Sequence, residues 1–526
     1  MDRGLSDLAR VVVRTSGIPL ALAGLLLALA TAALGSEWAV RYPADDHELI
    51  GTVSPTLDGG FICGGWTQSY GSGGRDALLI KLTSSGTAEW QRVYGGSGKE
   101  GTSRILQTSD GGYFAVGYTD SWGEGFWLLK LSSAGDLTRQ RRYTGVVVNA
   151  MAPAGPGAFV LAGSTSKYGA GYEDGWIALT DEAGELIWQR SYGGAGYRRH
   201  IFAIEGTSDG GYVAAGRVRT GTGDVYEQLW VLKIDATGDV EWQYTYGGNP
   251  AYVDNDGGFD IIETSDGAYV AVGYLTSYAP QGYWMIKLDS VGVILWQWGY
   301  GGPGLFDRAY GVVELPSGNL VMAGHANSYG AGNLDVWMIG TDGSGAPIWH
   351  RTLGGANEEV AYGLCLASDG DLVVPGRSSS YGNSTYDVWI LKTTPGGEIG
   401  AGCGMEASSA IVAVSALASR YASPNLTSTA TSKAAVEAFG AIAAIFIEPD
   451  YTCYAPGAFQ PERGDLNSDG RVDLLDVRIC YQIAEGFVSP TAHQSIQGDV
   501  DADEDIDLED ARILAEYVAG LRTTLP

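Results

Sequence analysis

A repeat of about fifty residues governs what this chain can fold into. It surfaces in LQTSDGGYFAVGYT, EGTSDGGYVAAGRV, IETSDGAYVAVGYL and LASDGDLVVPGRS. Each copy is followed by a second landmark, as in ALLIKLTSSGTAEWQRVYGG, LWVLKIDATGDVEWQYTYGG and YWMIKLDSVGVILWQWGYGG. Trp188, Trp242 and Trp296 stand 54 residues apart, and Trp349 follows 53 later. Such regularity copies one supersecondary unit, so the unit has to be read before any single residue.

Every unit holds four short alternating apolar runs separated by Asp-Gly, Gly-Gly or Ser-Gly. That is the pattern of four antiparallel strands joined by tight turns. The 79 glycines, 30 tyrosines and 15 tryptophans suit such turns and half-buried pleated surfaces. Four-stranded sheets at this period predict a mainly β fold, a β-propeller, rather than an open solenoid. Units start near residues 47, 100, 147, 199, 256, 307 and 358, which makes seven blades. The fourth-strand landmark begins earlier, at Trp38 in EWAVRY, and the last unit ends at DVWILKTTPGGEIG without one. Residues 37–42 are therefore expected to pair into the blade of residues 358–394, closing the ring and removing its open edges.

Upstream of the repeats, Arg3, Arg10 and Arg14 precede the apolar run GIPLALAGLLLALATAAL and then small residues. This reads as an export signal over residues 1–35; a retained anchor is the other reading of the same run. The repeats occupy residues 36–400, and an Ala/Ser/Thr-rich spacer follows over 401–461. Within it KAAVEAFGAIAAIF suits a helix by its alanines and a strand by IAAIFI. Five cysteines leave at least one unpaired in a monomer, and Cys403 and Cys453 bracket the spacer where an exported chain can bridge them. Acidic residues outnumber basic ones 61 to 32, for a net charge of -29, which disfavours nucleic acid and anionic membranes as partners.

The C-terminal segment carries metal-binding chemistry. In GDLNSDGRVDLLD, Asp465, Asn467, Asp469, Asp473 and Asp476 fall at positions 1, 3, 5, 9 and 12 of a twelve-residue loop, with Gly470 at position 6. Calcium takes six to eight hard oxygens, and this spacing wraps them round one ion, with Arg471 contributing its backbone carbonyl. The pattern recurs in GDVDADEDIDLED as Asp499, Asp501, Asp503, Asp507 and Asp510, with Asp505 at the carbonyl position. An amphipathic helix is expected after each loop, in LLDVRICYQIAEGF and LEDARILAEYVAGL. Glu504 stands where the first loop has glycine, so the second site is expected to be weaker.

Two resemblances follow from these residues. The SDGGY, AGYT, WQ and YGG units resemble secreted repeats related to quinoprotein-like and kelch-like propellers, which speaks to architecture and not to chemistry. The duplicated loop and following helix is similar to a type I dockerin, over about residues 464–521. That resemblance implies a small all-α domain at residues 462–526 with two calcium ions held by the residues above. It also implies a cohesin module of a scaffold or surface protein as partner, and a secreted or cell-surface location.

The repeats conceal chemistry by making most residues common. The recurring Asp76, Asp174, Asp335 and Asp387 read as turn caps, and the repeated tryptophans read as packing between blades. The non-repeated polar residues Arg198, Arg199, His200, Asp254, Asp256, Asp260, Asp307, Arg308, Glu358 and Glu359 cluster at first-strand starts, which converge on one face in a propeller. No zincin, P-loop or CxxC motif occurs. Two main readings stay open: a propeller that binds a polysaccharide or protein ligand, and a dockerin-borne glycoside hydrolase or lyase with paired carboxylates at the mouth. A calcium-capped structural surface protein is the third.

Overall fold

The computed structural model describes residues 37–399 apart from 170–171, 195, 221–225, 248–254, 277–281, 303–306 and 382–384; beyond residue 400 it describes seven short strands as backbone. The chain is a seven-bladed propeller, and no helix occurs among the described residues. Blade 1 runs Glu48–Pro55, Phe61–Thr67, Asp76–Leu82 and Ala88–Gly95, each strand antiparallel to the next. Blades 2 to 6 repeat this over residues 100–143, 146–193, 197–247, 257–301 and 308–353. Blade 7 uses residues 359–393 for three strands and takes its fourth from the N-terminus, where Trp38–Tyr42 pairs antiparallel with Asp387–Thr393. The ring thus closes as expected.

Each letter of the repeat has a mechanical job. The tyrosine of Tyr-Gly-Gly reaches the next blade: the hydroxyls of Tyr94, Tyr143, Tyr192, Tyr246 and Tyr300 donate to the carbonyls of Gly135, Gly184, Gly238, Gly292 and Gly345. A fourth-strand tryptophan does the same from the rim: Nε1 of Trp38, Trp90 and Trp242 at the WQ position, and of Trp298 two residues beyond it, donate to the carbonyls of Ser84, Ser133, Ser290 and Ser344. The glutamine after it turns inward, so that Gln189 Oε1 accepts from Trp176 Nε1 at 3.1 Å and Gln243 Oε1 from Trp230 Nε1 at 3.1 Å. Trp176 and Trp230 are fully buried. The third-strand lysine ties back to the SDGG turn, as in Lys81 to Asp58 at 2.8 Å and Lys287 to Asp266 at 2.7 Å.

Two glycine positions follow from crowding. In every blade the second strand carries a glycine facing the first strand: Gly65, Gly117, Gly163, Gly216, Gly273, Gly324 and Gly376, where a Cβ would fall on a backbone carbonyl. Opposite it the first strand bulges by one residue. Such a bulge needs a partner without a side chain. The first glycine of Tyr-Gly-Gly makes room for buried carboxylates: a Cβ at Gly354 would stand 2.7 Å from Glu359 Oε2 and closer still to Asp335 Oδ1.

The Ala/Ser/Thr-rich segment adds a fifth, outermost strand to each blade in reverse order. Glu406–Ala407 pairs with blade 6, Val412–Ser415 with blade 5, Ser419–Ala422 with blade 4 and Thr427–Ala430 with blade 3. Ala435–Val436, Ala441–Ala444 and Asp450–Tyr454 then pair with blades 2, 1 and 7. Where helix and strand were both open for KAAVEAFGAIAAIF, Ala435–Val436 and Ala441–Ala444 are strands. Small side chains suit a strand laid along exposed edges, and the edges it covers would otherwise be sites for unwanted pairing. The disulfide expectation for Cys403 and Cys453, the export signal and the helices after the C-terminal loops all fall outside the described residues and side chains.

The bulge makes a sharp prediction. Gly216→Ala should destabilise the propeller by about 3 kcal/mol, since its Cβ would overlap the His200 carbonyl. Gly206→Ala, whose Cβ would find its nearest neighbour at 3.4 Å, should cost less than about 1 kcal/mol. Denaturant unfolding followed by tryptophan fluorescence tests this cleanly, because all 15 tryptophans lie between Trp38 and Trp389.

Candidate functional site at the channel mouth

The innermost strands of the seven blades surround a central channel, and the bulge residue of each is half-buried and follows a buried residue. In blades 1 to 3 that residue is Gly51, Ser103 and Asn149; in blades 4 to 6 it is Phe202, Phe259 and Tyr310. Tyr362 takes the matching place in blade 7, between Glu359–Ala361 and Cys365–Leu366. The four aromatic rings touch in series: Phe202 to Phe259 at 5.5 Å, Phe259 stacked on Tyr310 at 4.6 Å, and Tyr310 to Tyr362 at 5.9 Å. Bulges re-aim side chains, and here they build an aromatic arc over four adjacent blades facing small or polar residues on the other three.

Guanidinium groups flank the arc. Arg217 lies 5.3 Å from the Phe202 ring, Arg308 5.0 Å from the Tyr274 ring, and Arg377 3.8 Å from the Tyr386 ring and 5.9 Å from Tyr362. Two carboxylates fix these positions. Glu227 accepts from Arg217 at 3.1 Å and from the Tyr274 hydroxyl at 2.8 Å. Glu358 accepts from the Tyr386 hydroxyl at 2.7 Å and lies 3.9 Å from Arg377. Beside Phe259 the surface opens into a pocket of about 370 Å³ shared by blades 4, 5 and 6.

Deeper in the channel a cavity of about 410 Å³ is lined on one side by Arg104 and on another by Glu205 and Asp260. Burial pushes Glu205 up to about 7, helped by the charges of Asp260 and Glu263. Burial likewise raises Asp260 to about 6, opposed by the backbone N–H of Val312, by Arg104 and by the N–H of Ile261. The cavity therefore holds two carboxyls that bind protons more readily than usual.

The residues singled out at first-strand starts divide sharply. Arg199, Asp256, Asp307 and Glu359 are at most 2 % exposed and act as struts. Glu359 accepts from Ser378 Oγ at 2.8 Å, Ser380 N at 3.1 Å and Gly355 N at 2.6 Å. Asp307 accepts from Ser328 Oγ at 2.6 Å and Asn327 N at 2.9 Å. Glu48 and Glu100 do the same work in blades 1 and 2. His200 pairs with Glu173 at 2.7 Å. Asp260, Arg308 and Glu358 reach the channel or its mouth, and Asp254 lies outside the described residues. The recurring aspartates cap turns, as in Gly332 N to Asp335 Oδ2 at 2.9 Å and Gly73 N to Asp76 Oδ2 at 3.1 Å. Phe202, Phe259, Tyr310 and Tyr362 are not among the residues singled out from the sequence, although each stands three residues after the buried charged residue at its strand start, Arg199, Asp256, Asp307 or Glu359.

Among the described residues no group of three or more His, Cys, Asp or Glu could hold a metal ion. The expected calcium ligands Asp465, Asn467, Asp469, Arg471, Asp473 and Asp476, and Asp499, Asp501, Asp503, Asp505, Asp507 and Asp510, lie outside the described residues. Their chemistry fits calcium all the same, with hard anionic oxygens at alternate positions.

A two-part protein is thus defined, a seven-bladed propeller followed by a separate C-terminal module. Residues 463–519 match the family model of the dockerin type I domain, so the chain carries a type I dockerin, a calcium-binding domain that docks to a cohesin. Dockerins occur in extracellular or cell-surface cellulosome components. Comparison with curated proteins gives no match. Among solved structures, the propeller is similar to Sqt1 of Chaetomium thermophilum, at 12% identity and TM-score 0.40 over 70% of this chain and 87% of that one. It is also similar to a protein of unknown function from Dyadobacter fermentans, at 11% and 0.37 over 68% and 98%. The Dos1 propeller aligns at 12% and 0.36 over 67% and 95%.

Opposed titrations predict the pH response. Asp58, Asp110, Asp209 and Asp266 are held down to about 2, against an ordinary 3.8, mainly by their lysines and turn hydrogen bonds working against some burial. Their contribution is present above about pH 4 and is lost as pH falls through 2; it is modest, because these side chains are about half exposed. Asp335 is raised to about 6 by burial and by the charge of Glu359. Its contribution is complete below pH 3.8 and is lost as pH rises through 6, and Asp260 adds the same trend. Propeller stability should therefore peak near pH 4 and decline towards neutrality. Asp335→Asn, which can donate to Glu359 without a titrating proton, should flatten the decline between pH 4 and 7 in tryptophan-monitored unfolding.

Proposed function

We propose that this is an exported, dockerin-anchored recognition protein that binds a glycan along the aromatic arc at the channel mouth. The observation that carries the reading is the series Phe202, Phe259, Tyr310 and Tyr362. Contiguous, half-buried aromatic faces offer the apolar platforms on which sugar rings stack, and arginines and carboxylates beside them supply directional hydrogen bonds. The net charge of -29 keeps polyanionic nucleic acid away. In this reading residues 1–35 are removed on export, residues 36–400 form the recognition domain, 401–461 connect it and 462–526 dock.

The dockerin is read as holding two calcium ions, one in each loop, with Asp465, Asn467, Asp469, Asp473 and Asp476 forming the stronger site. The second loop has Asp501 where the first has Asn467, and Glu504 at its tight turn. In a calcium titration of the full chain by calorimetry, two ions of unequal affinity are expected. Asp465→Ala should remove the tighter ion and Asp499→Ala the weaker. The double variant should lose capture by a cohesin module; capture retained in chelator would overturn the anchor.

A hydrolase is the second reading, favoured by Glu205 and Asp260 in the channel cavity, where one raised carboxyl could serve as an acid. A glycan panel assayed for both binding and cleavage separates the two. Recognition predicts binding without cleavage, weakened about tenfold by Phe259→Ala or Tyr310→Ala. Cleavage abolished by Glu205→Gln would replace recognition with hydrolysis.

A further inference from the structure

The pocket beside Phe259 carries a charge opposite to that of the protein as a whole. Among the described residues, Arg217, Arg219 and Arg308 line it against Glu227 and Asp307, on a chain whose net charge is -29. Arg217 is committed to Glu227, and the Asp307 carboxylate is held by Ser328 and Asn327. Neither Arg219 nor Arg308 forms an ion pair with any described residue, and the Arg308 guanidinium lies over the Tyr274 ring at 5.0 Å. Two guanidinium groups that line one concavity and pair with no described carboxylate describe a seat for an anion. At about 370 Å³ the pocket accommodates a ligand group the size of one sugar ring.

We propose that this pocket recognises a carboxylate-bearing sugar, a uronate residue, within a glycan lying along the arc. The inference rests on the arc being a glycan platform and adds what that platform selects. The pyranose would stack on the half-buried Phe259 ring while its carboxylate accepts hydrogen bonds from Arg219 and Arg308. Glu227 is a positioning residue here: by holding both Arg217 and the Tyr274 hydroxyl it sets the Tyr274 ring under the Arg308 guanidinium. A neutral sugar would leave two guanidinium groups facing no partner, so the pocket discriminates by charge as well as by shape.

The test uses the calcium-loaded full chain and calorimetric titration with oligogalacturonate, oligoglucuronate, their methyl esters, and neutral oligosaccharides of equal length. The two acids decide which uronate stereochemistry fits; the esters remove the charge and keep the ring. The acid form is expected to bind at least about tenfold more tightly than its ester. Arg219→Gln and Arg308→Gln should each erase most of that difference, and Arg308→Lys should restore part of it. A retained tryptophan-monitored unfolding midpoint in the variants separates lost recognition from lost folding. Equal affinity for acid and ester, or arginine variants that leave the ratio unchanged, overturns the uronate pocket while leaving the arc intact. Absence of binding to every glycan overturns the arc reading and the pocket with it.

Discussion

The antiparallel pairing of Trp38–Tyr42 with Asp387–Thr393 is the contact on which the remaining architecture depends. Seven sheets that each touch only their neighbours form an open array until the first and last are joined. Once they are joined, all first strands face one axis and their bulge residues come within reach of one another. The chain protects this contact twice. Arg41 of the closing strand pairs with Asp387 at 2.8 Å where both are nearly buried, and Asp450–Tyr454 lies along its outer edge. An N-terminal strand that closes the ring also makes closure late in sequence terms, since residues 38 and 393 must meet before blade 7 exists. Contacts of that separation are slow to form and, once formed, make the ring cooperative.

Between blades the load is shared by a few buried polar groups rather than by apolar surface alone. A tyrosine hydroxyl, a tryptophan N–H and a strand-start acid repeat at most junctions, each finding its partner in the adjoining blade or turn. Buried hydrogen bonds of this kind contribute modestly when made and cost more when broken, so they specify the spacing between blades more than they add stability. The acids also bring repulsion: Asp335 and Glu359 aim oxygens at the same point above Gly354. Blade 3 relaxes the pattern with Asp174, whose charge lies near Arg199 of blade 4, at the position where blades 1, 2, 5, 6 and 7 place an acid. The repeat is thus a set of interlocking positions in which residue identity drifts while the geometric task stays fixed.

That drift explains what could be read from the sequence. Strand number, blade count and ring closure follow from local patterns, alternation and turn residues, which survive drift because each copy must satisfy the same backbone. The site did not follow. Arg199, Asp256, Asp307 and Glu359 differ in type and so looked special, yet they occupy one equivalent buried position. Phe202, Phe259, Tyr310 and Tyr362 look ordinary, because an aromatic in a strand is expected to pack in a core. Only the bulge, a backbone feature with no signature of its own beyond the facing glycine, turns them towards the channel. The calcium loops were legible for the opposite reason: their ligands sit within twelve consecutive residues, so spacing in sequence is spacing in space.

Strand direction also fixes which face of the ring each described strand end occupies. First strands begin at the face that carries the arc, with Glu48, Glu100 and Glu359 near their starts, and second strands return to it at Arg219 and Arg377. Third strands leave that face and fourth strands come back, so Tyr42 lies on the arc side of the closing strand and Trp38 on the far side. The outermost strand is antiparallel to it, pairing Asp450 with Arg41 and Tyr454 with Trp38. This outermost strand therefore starts on the arc side at Asp450 and ends at Tyr454 on the opposite face, so the edge it covers runs the full height of the closing strand.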